Sequence, residues 1–152
     1  MTQPIAFSTS TFRLSLPMLF QGQTQKEFYF NEAMSLVDTM LFPAVEGQSS
    51  DVPATPADGE AWLIGLGAGG DWANQEHAIA ISIAGSWNFV QPVNGMIVFD
   101  KAANQMARFE TSWIRADEPT LPIGGTVIDQ EARSAIAQII EILRVTATLP
   151  DN

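Results

Sequence analysis

The sequence predicts an α+β fold: a small antiparallel β-meander, barrel-like in its closure, with an N-terminal amphipathic helix and a C-terminal oligomerising helix. Three observations lead there. Ala61-Trp62-Leu63-Ile64, Ala78-Ile79-Ala80-Ile81-Ser82-Ile83 and Met96-Ile97-Val98-Phe99 are short, rich in β-branched or aromatic residues, and bounded by Gly, Asn and Asp. That is the signature of strands. Gly70-Asp71-Trp72, Gly85-Ser86-Trp87 and Thr111-Ser112-Trp113 punctuate them as repeated turn signals. On both flanks the apolar residues recur at helical spacing instead.

Taken in order, residues 1–22 are expected to form an extended anchoring arm. Met1 to Arg13 is polar and rich in Ser and Thr. Leu14-Ser15-Leu16-Pro17-Met18-Leu19-Phe20 is apolar, but its proline keeps it along a surface rather than inside a sheet. Residues 23–116 read as a helix plus a β-rich body. Thr24 and Glu27 have capping-box spacing, so each side chain can satisfy a backbone N–H at the other position. Phe30, Met34, Val37 and Leu41 then share one helical face, widened by Phe28, Ala33, Leu36 and Met40, until Pro43 ends the helix. A helix apolar over so much of its circumference calls for partners on two sides, the sheet alone or the sheet and a neighbouring subunit.

Glu46 to Gly59 offers little to bury and reads as a linker or long surface loop. Asn94-Gly95 predicts a hairpin, since this pair tolerates positive φ, and Ala102-Ala103-Asn104-Gln105 predicts a second one. Asp117 to Gly125 is a Pro/Gly-rich linker and the expected domain boundary. The C-terminal helix is placed at residues 126–148, opened by Thr126 and Asp129, with Asp129 and Arg133 as a favourable i,i+4 pair. Ile128, Ala132, Ala135, Ile139, Ile142 and Thr146 alternate steps of four and three, a heptad seam. Ile136, Ile140 and Leu143 broaden it, favouring three strands or packing on the body. Ile128, Ala132, Ala135, Ile139, Ile142 and Leu143 are therefore the candidate oligomerisation residues of a trimeric coiled coil. Helices this short barely hold alone, so the rest of the chain must support the trimer.

Seven basic against seventeen acidic residues give a formal net charge of −10. That disfavours nucleic acid and anionic membrane surfaces, which reward clustered Lys and Arg. The absence of cysteine excludes disulfides, thiolate metal sites and a Cys nucleophile. No apolar run approaches the roughly 18 residues of a membrane span, and Met1–Ser10 lacks the pattern of a signal peptide. No membrane insertion is expected.

Chemistry is hard to find. His77 is the single histidine, with no second ligand at a metal-binding spacing, and reads as a surface or strand-end residue. The Gly65–Gly70 run lacks the Gly-Lys-Ser/Thr ending of a phosphate loop. Asp117 and Glu118 fall in the linker, where nothing would shift their pKa values. No catalytic residue, metal or cofactor is assigned, and an enzyme is the weakest reading. The tryptophans are the candidates for a binding surface, as platforms for sugar rings. Trp62 reads as core. Trp72, Trp87 and Trp113 are the candidate glycan-binding residues, with Trp72 and Trp113 expected to be exposed near turns; the bland alternative is that all are core.

Leu16-Pro17, Gln23-Thr24-Gln25-Lys26-Glu27, Asn31-Glu32-Ala33 and Leu36-Val37-Asp38 resemble the "LP…QAQKE…NEAL…LD" signature of the domain of unknown function 2793 family. Pro56 to Glu60, Gly70-Asp71-Trp72, Ile79-Ala80, Gly85-Ser86-Trp87-Asn88-Phe89 and Pro92 to Gly95 are similar to its downstream motifs, so the likeness covers about Leu14 to Val98. Gly95 to Asp100 and Met106 to Trp113 resemble hairpins of tail fibres, and Asp129 to Ile136 with Leu143-Arg144 is similar to their short terminal helices. Thr148-Leu149-Pro150 stands where family members carry Gly-Leu-Ile. The resemblance implies a virion component of alphaproteobacterial phages, prophages or gene transfer agents, associated with head or tail. It leads us to expect a homotrimeric spike, tail-fibre or fibre-adaptor subunit, made in the host cytoplasm and exposed after release. Leu16, Pro17, Phe20, Gln25, Phe28 and Phe30 would anchor it to a baseplate, tail or capsid vertex. A glycan-binding module for host polysaccharide, or a capsid decoration protein, is the alternative.

Overall fold

The computed structural model describes residues 26–125 and 129–150, apart from the side chains of Glu27 and Phe28. Helix α1 spans Lys26–Leu41. Strands β1 (Ala44–Val45), β2 (Gln48–Ser49), β3 (Ala61–Ile64), β4 (Ile79–Ile83), β5 (Ser86–Val90), β6 (Ile97–Asp100), β7 (Gln105–Phe109) and β8 (Trp113–Ile114) follow, and α2 (Gln130–Val145) comes last. The class is α+β.

The strands do not close a barrel or run as one antiparallel meander. They form two open, mixed four-stranded sheets, ordered β1-β6-β7-β8 and β2-β3-β4-β5. The mixing comes from Ala44 to Ser49, part of which was expected to be loop. Here β1 pairs in parallel with β6, β2 pairs in parallel with β3, and Glu46-Gly47 carries the chain from one sheet to the other. Two-residue strands have no period to read, so composition alone suggested a linker. Gly47 eases the crossing, because a Cβ there would stand 3.1 Å from the Ala102 Cβ and push it aside by a few tenths of an ångström.

Asn94-Gly95 is also not a hairpin. It lies where the chain passes from β5 in one sheet to β6 in the other. Gly95 has φ of 85°, whereas Asn94 is absent from the positive-φ residues, so the turn lacks the paired left-handed residues of a type I′ hairpin. That geometry occurs instead between β4 and β5, at Ala84 (φ 51°) and Gly85 (φ 74°). The expected β6–β7 hairpin does form, with Asp100 opposite Gln105 and Asn104 at φ 49°.

One core lies between the sheets: Val45, Val98, Ala107 and Trp113 from the first, Ala61, Leu63, Ile79, Ile81 and Val90 from the second, with Met96 and Leu36 of α1. A polar bridge joins the same two sheets. Asp100 of β6 is buried and accepts from Arg115 Nε at 2.8 Å and from Arg115 Nη2, while Arg115 Nη1 donates to Gln48 of β2 at 3.1 Å. Within α1 the core-facing residues are Leu36 and Met40, both from the widened part of the predicted apolar stripe, while Phe30, Met34 and Leu41 stay exposed. The stripe is broad, so sequence alone did not fix which part of it turns inward.

A smaller cluster covers the outer face of the second sheet. Ala78, Ala80 and Ser82 present a row of small buried residues, and the cross-strand partners of Ala80 and Ser82 are Trp62, Phe89 and Trp87. Trp72, in a 3₁₀ turn at Gly70–Trp72, fills the space against them with Ala68 and Val52. Small strand residues leave room for rings above the pleat.

Candidate functional site

Three surfaces gather the residues singled out above. The first is α2. Its N-cap is Asp129, whose side chain accepts from Ala132 N at 2.9 Å, while Thr126 and Ile128 lie outside the described residues. Arg133 does not pair with Asp129; it donates to the carbonyls of Pro122 and Gly124, lashing the linker to the helix. Arg144 likewise pairs with Glu118. Thr146 is the C-cap rather than a seam residue, and Ala147 takes φ of 53° as the chain turns. The Ala147 carbonyl then accepts from Met106 N at 2.7 Å, docking the helix end on β7.

So held, α2 has two unlike faces. Ile140 is only 5% exposed and Leu143 is half-buried in the protomer. Ala132, Ala135, Ile139 (56% exposed) and Ile142 (61%) of the seam face outward, with Val145 beside them. Leu143 therefore belongs partly to the protomer, and the other described seam residues stand free of it.

The second surface lies at the end of α1. Leu41 and Phe42, the latter 88% exposed, meet Pro43, Ala44, Ile97, Phe99 and Met106 around an apolar groove of about 400 Å³. Ile97, Phe99 and Met106 lie on the outer face of the first sheet, opposite to the core-facing Val98 and Ala107. Of the anchoring residues, Phe30 is half-exposed on α1. Leu16, Pro17, Phe20 and Gln25, and the Phe28 side chain, lie outside the described residues. This groove carried no sequence signal, because β1 was unreadable and the β6 run is apolar throughout, so nothing marked Ile97 and Phe99 as facing outward.

The third surface holds the tryptophans, and two expectations fail there. Trp72 is 0% exposed and Trp113 is buried, so neither offers a face to a ligand. Proximity to a turn misled: the 3₁₀ turn folds Trp72 inward, and Trp113 Nε1 is tied to the His77 carbonyl at 2.8 Å with Phe109 against its ring. Trp72 Nε1 is buried without an acceptor among the described residues. Trp62, read as core, is half-buried on the outer face and donates to Glu60 Oε1 at 2.6 Å. The Ala57 N–H and then the Trp62 indole N–H hold the Glu60 carboxyl below its usual range. Trp87 is half-buried and sits edge-on to Trp72, ring centroids 5.1 Å apart.

His77 precedes β4 with φ of 69°, its Nδ1 buried without an acceptor or donor partner among the described residues. No group of three or more His, Cys, Asp or Glu able to hold a metal occurs among the described residues. No described helix is long and apolar enough to cross a membrane.

Two open mixed sheets sharing a core with α1, and a second helix tethered at β7, define the α+β class of this protein. The chain belongs to the family described as "Protein of unknown function (DUF2793)", whose model matches residues 30–114. The match runs from α1 through β8, the body with both sheets, and stops before α2. No curated protein matches the chain.

Proposed function

We propose that this protein is a trimeric structural subunit of a virion, a spike, tail-fibre or fibre-adaptor of a tailed phage or gene transfer agent. The observation that carries the reading is the outward seam of α2. Ala132, Ala135, Ile139 and Ile142 keep heptad spacing and stay exposed in a helix that is otherwise pinned down by Arg133, Arg144 and Ala147. Isoleucine at both seam positions favours three or more strands over two. The 16 residues of α2 are too few to hold a coiled coil unaided. The apolar groove of Leu41, Phe42 and Met106 adjoins the tether at Ala147 and supplies a further surface to bury. The virion assignment rests on the likeness of the sequence motifs to phage and gene transfer agent proteins. Docking to a baseplate, tail or capsid vertex would use the arm and Phe30.

Light scattering on the full chain, on Ile139→Glu/Ile142→Glu and on a chain ending at Gly124 tests it. A trimer that falls to a monomer in both variants is the expected result. A full chain that is already a monomer sinks the trimer and leaves a decoration subunit whose apolar faces are covered only on a virion.

A further inference from the structure

The geometry points to a binding site for neutral saccharides on the outer face of the second sheet, in a groove that neither helix lines. The groove is an open depression of about 460 Å³ between the Val52–Pro56 loop and β5, with Asp71 also in its lining. Trp87 and Phe89 line it together. They sit two residues apart on β5 and so share a face, and both are half-buried, packed against the Trp72 cluster with part of each ring left accessible.

Three features select the ligand class. Trp87 is held by its edge contact with fully buried Trp72, so it is a ring already fixed in place, and ordering it costs a ligand little. Two aromatic side chains beside a carboxylate match a molecule with apolar C–H faces and many hydroxyl donors, which is a pyranose. An aliphatic ligand would leave Asp71 to be desolvated without a partner. Last, no Lys, Arg or His lines the groove among the described residues, and the chain carries a formal charge of −10. Uronates, sulfated glycans and phosphates would meet an acidic margin and no cation, so the saccharide is neutral. The volume fits one or two sugar rings, within the range of small-molecule sites.

The test is saturation-transfer NMR on the full chain with neutral tetra- to hexasaccharides of glucose, galactose, mannose and N-acetylglucosamine. Oligogalacturonate and a decapeptide of proline serve as competitors of other classes. Saturable contact with at least one neutral series, half-saturating on the order of 1 mM, is expected. Trp87→Leu and Asp71→Asn should each weaken it by roughly tenfold or more. Asp71 is exposed, so its substitution keeps the experiment informative even if Trp87→Leu disturbs the sheet. Binding that survives both substitutions overturns the site. Absence of contact with every neutral series, or preference for oligogalacturonate or the proline peptide, overturns the ligand class. The outcome is independent of oligomeric state, so the trimer can fail while this site stands.

Discussion

Ala84 occupies a position that an L-residue with a Cβ resists. Its φ of 51° and the 74° of Gly85 give the β4–β5 hairpin its tight left-handed turn. Asparagine tolerates that conformation better than alanine. Ala84→Asn should therefore raise stability by about 0.5–1 kcal/mol, read as a higher urea midpoint with an unchanged m-value. At Arg115 the sign reverses. Its guanidinium is the ion-pair partner of buried Asp100 and also reaches Gln48 in the other sheet. Arg115→Met strips the ion-pair partner from a buried carboxylate that keeps the Ala103 N–H, and should cost about 2–3 kcal/mol; Arg115→Met with Asp100→Leu should recover part of it. Glu60 makes a pH prediction. Its folded pKa is lowered, so its contribution is present above the unfolded value near 4.5 and is lost as pH falls through the lower folded value. The Trp62 indole N–H resonance should report that titration below pH 4.5, and Glu60→Gln should abolish it.

At the scale of elements, legibility followed periodicity. β3, β4 and β6 fall in runs that alternate or stay apolar for four residues or more, and β7 was placed by the hairpin before it; the bounds of all four fell close to those read from sequence. β1 and β2 were invisible because two residues carry no period, and their parallel partners lie far along the chain. The inward face of α1 was left open for the opposite reason: the apolar stripe was too broad to choose a side, and tertiary packing selected Leu36 and Met40. The tryptophans show the limit of a local signal, since Trp72 and Trp87 each follow the same turn motif and only the first is fully buried. In α2 the sequence separated two stripes that the fold uses differently, and neighbours one residue apart should behave differently. Ile140→Ala, in the face buried in the protomer, should cost about 2–4 kcal/mol in urea unfolding. Ile139→Ala, on the outward seam, should leave a dilute protomer nearly unchanged while weakening self-association. Equal losses from both would mean that the outward seam is already covered within one chain.

For the whole molecule, charge and apolar surface pull in opposite directions. Each chain carries a formal charge of −10, so bringing copies together raises electrostatic repulsion. The outward α2 residues Ala132, Ala135, Ile139 and Ile142 bear no charge, and among the described residues the groove of Leu41, Phe42, Ile97, Phe99 and Met106 is equally without ion-pairing groups. Arg108, on the outer face of β7 beside that groove, is already paired with Glu110 at 2.7 Å. Association through these surfaces must be driven by apolar burial against a repulsive background, not by complementary charge. Salt shortens the reach of that repulsion, with a Debye length of about 30 Å at 0.01 M falling to about 8 Å at 0.15 M. Sedimentation equilibrium across that range should therefore show self-association tightening as salt rises. Lowering the pH toward the isoelectric point near 4.2 should act in the same direction until the Glu60 contribution is lost. An association that weakens with salt would place ion pairs at the contact, and would move the interface away from α2 to the charged surface of the body.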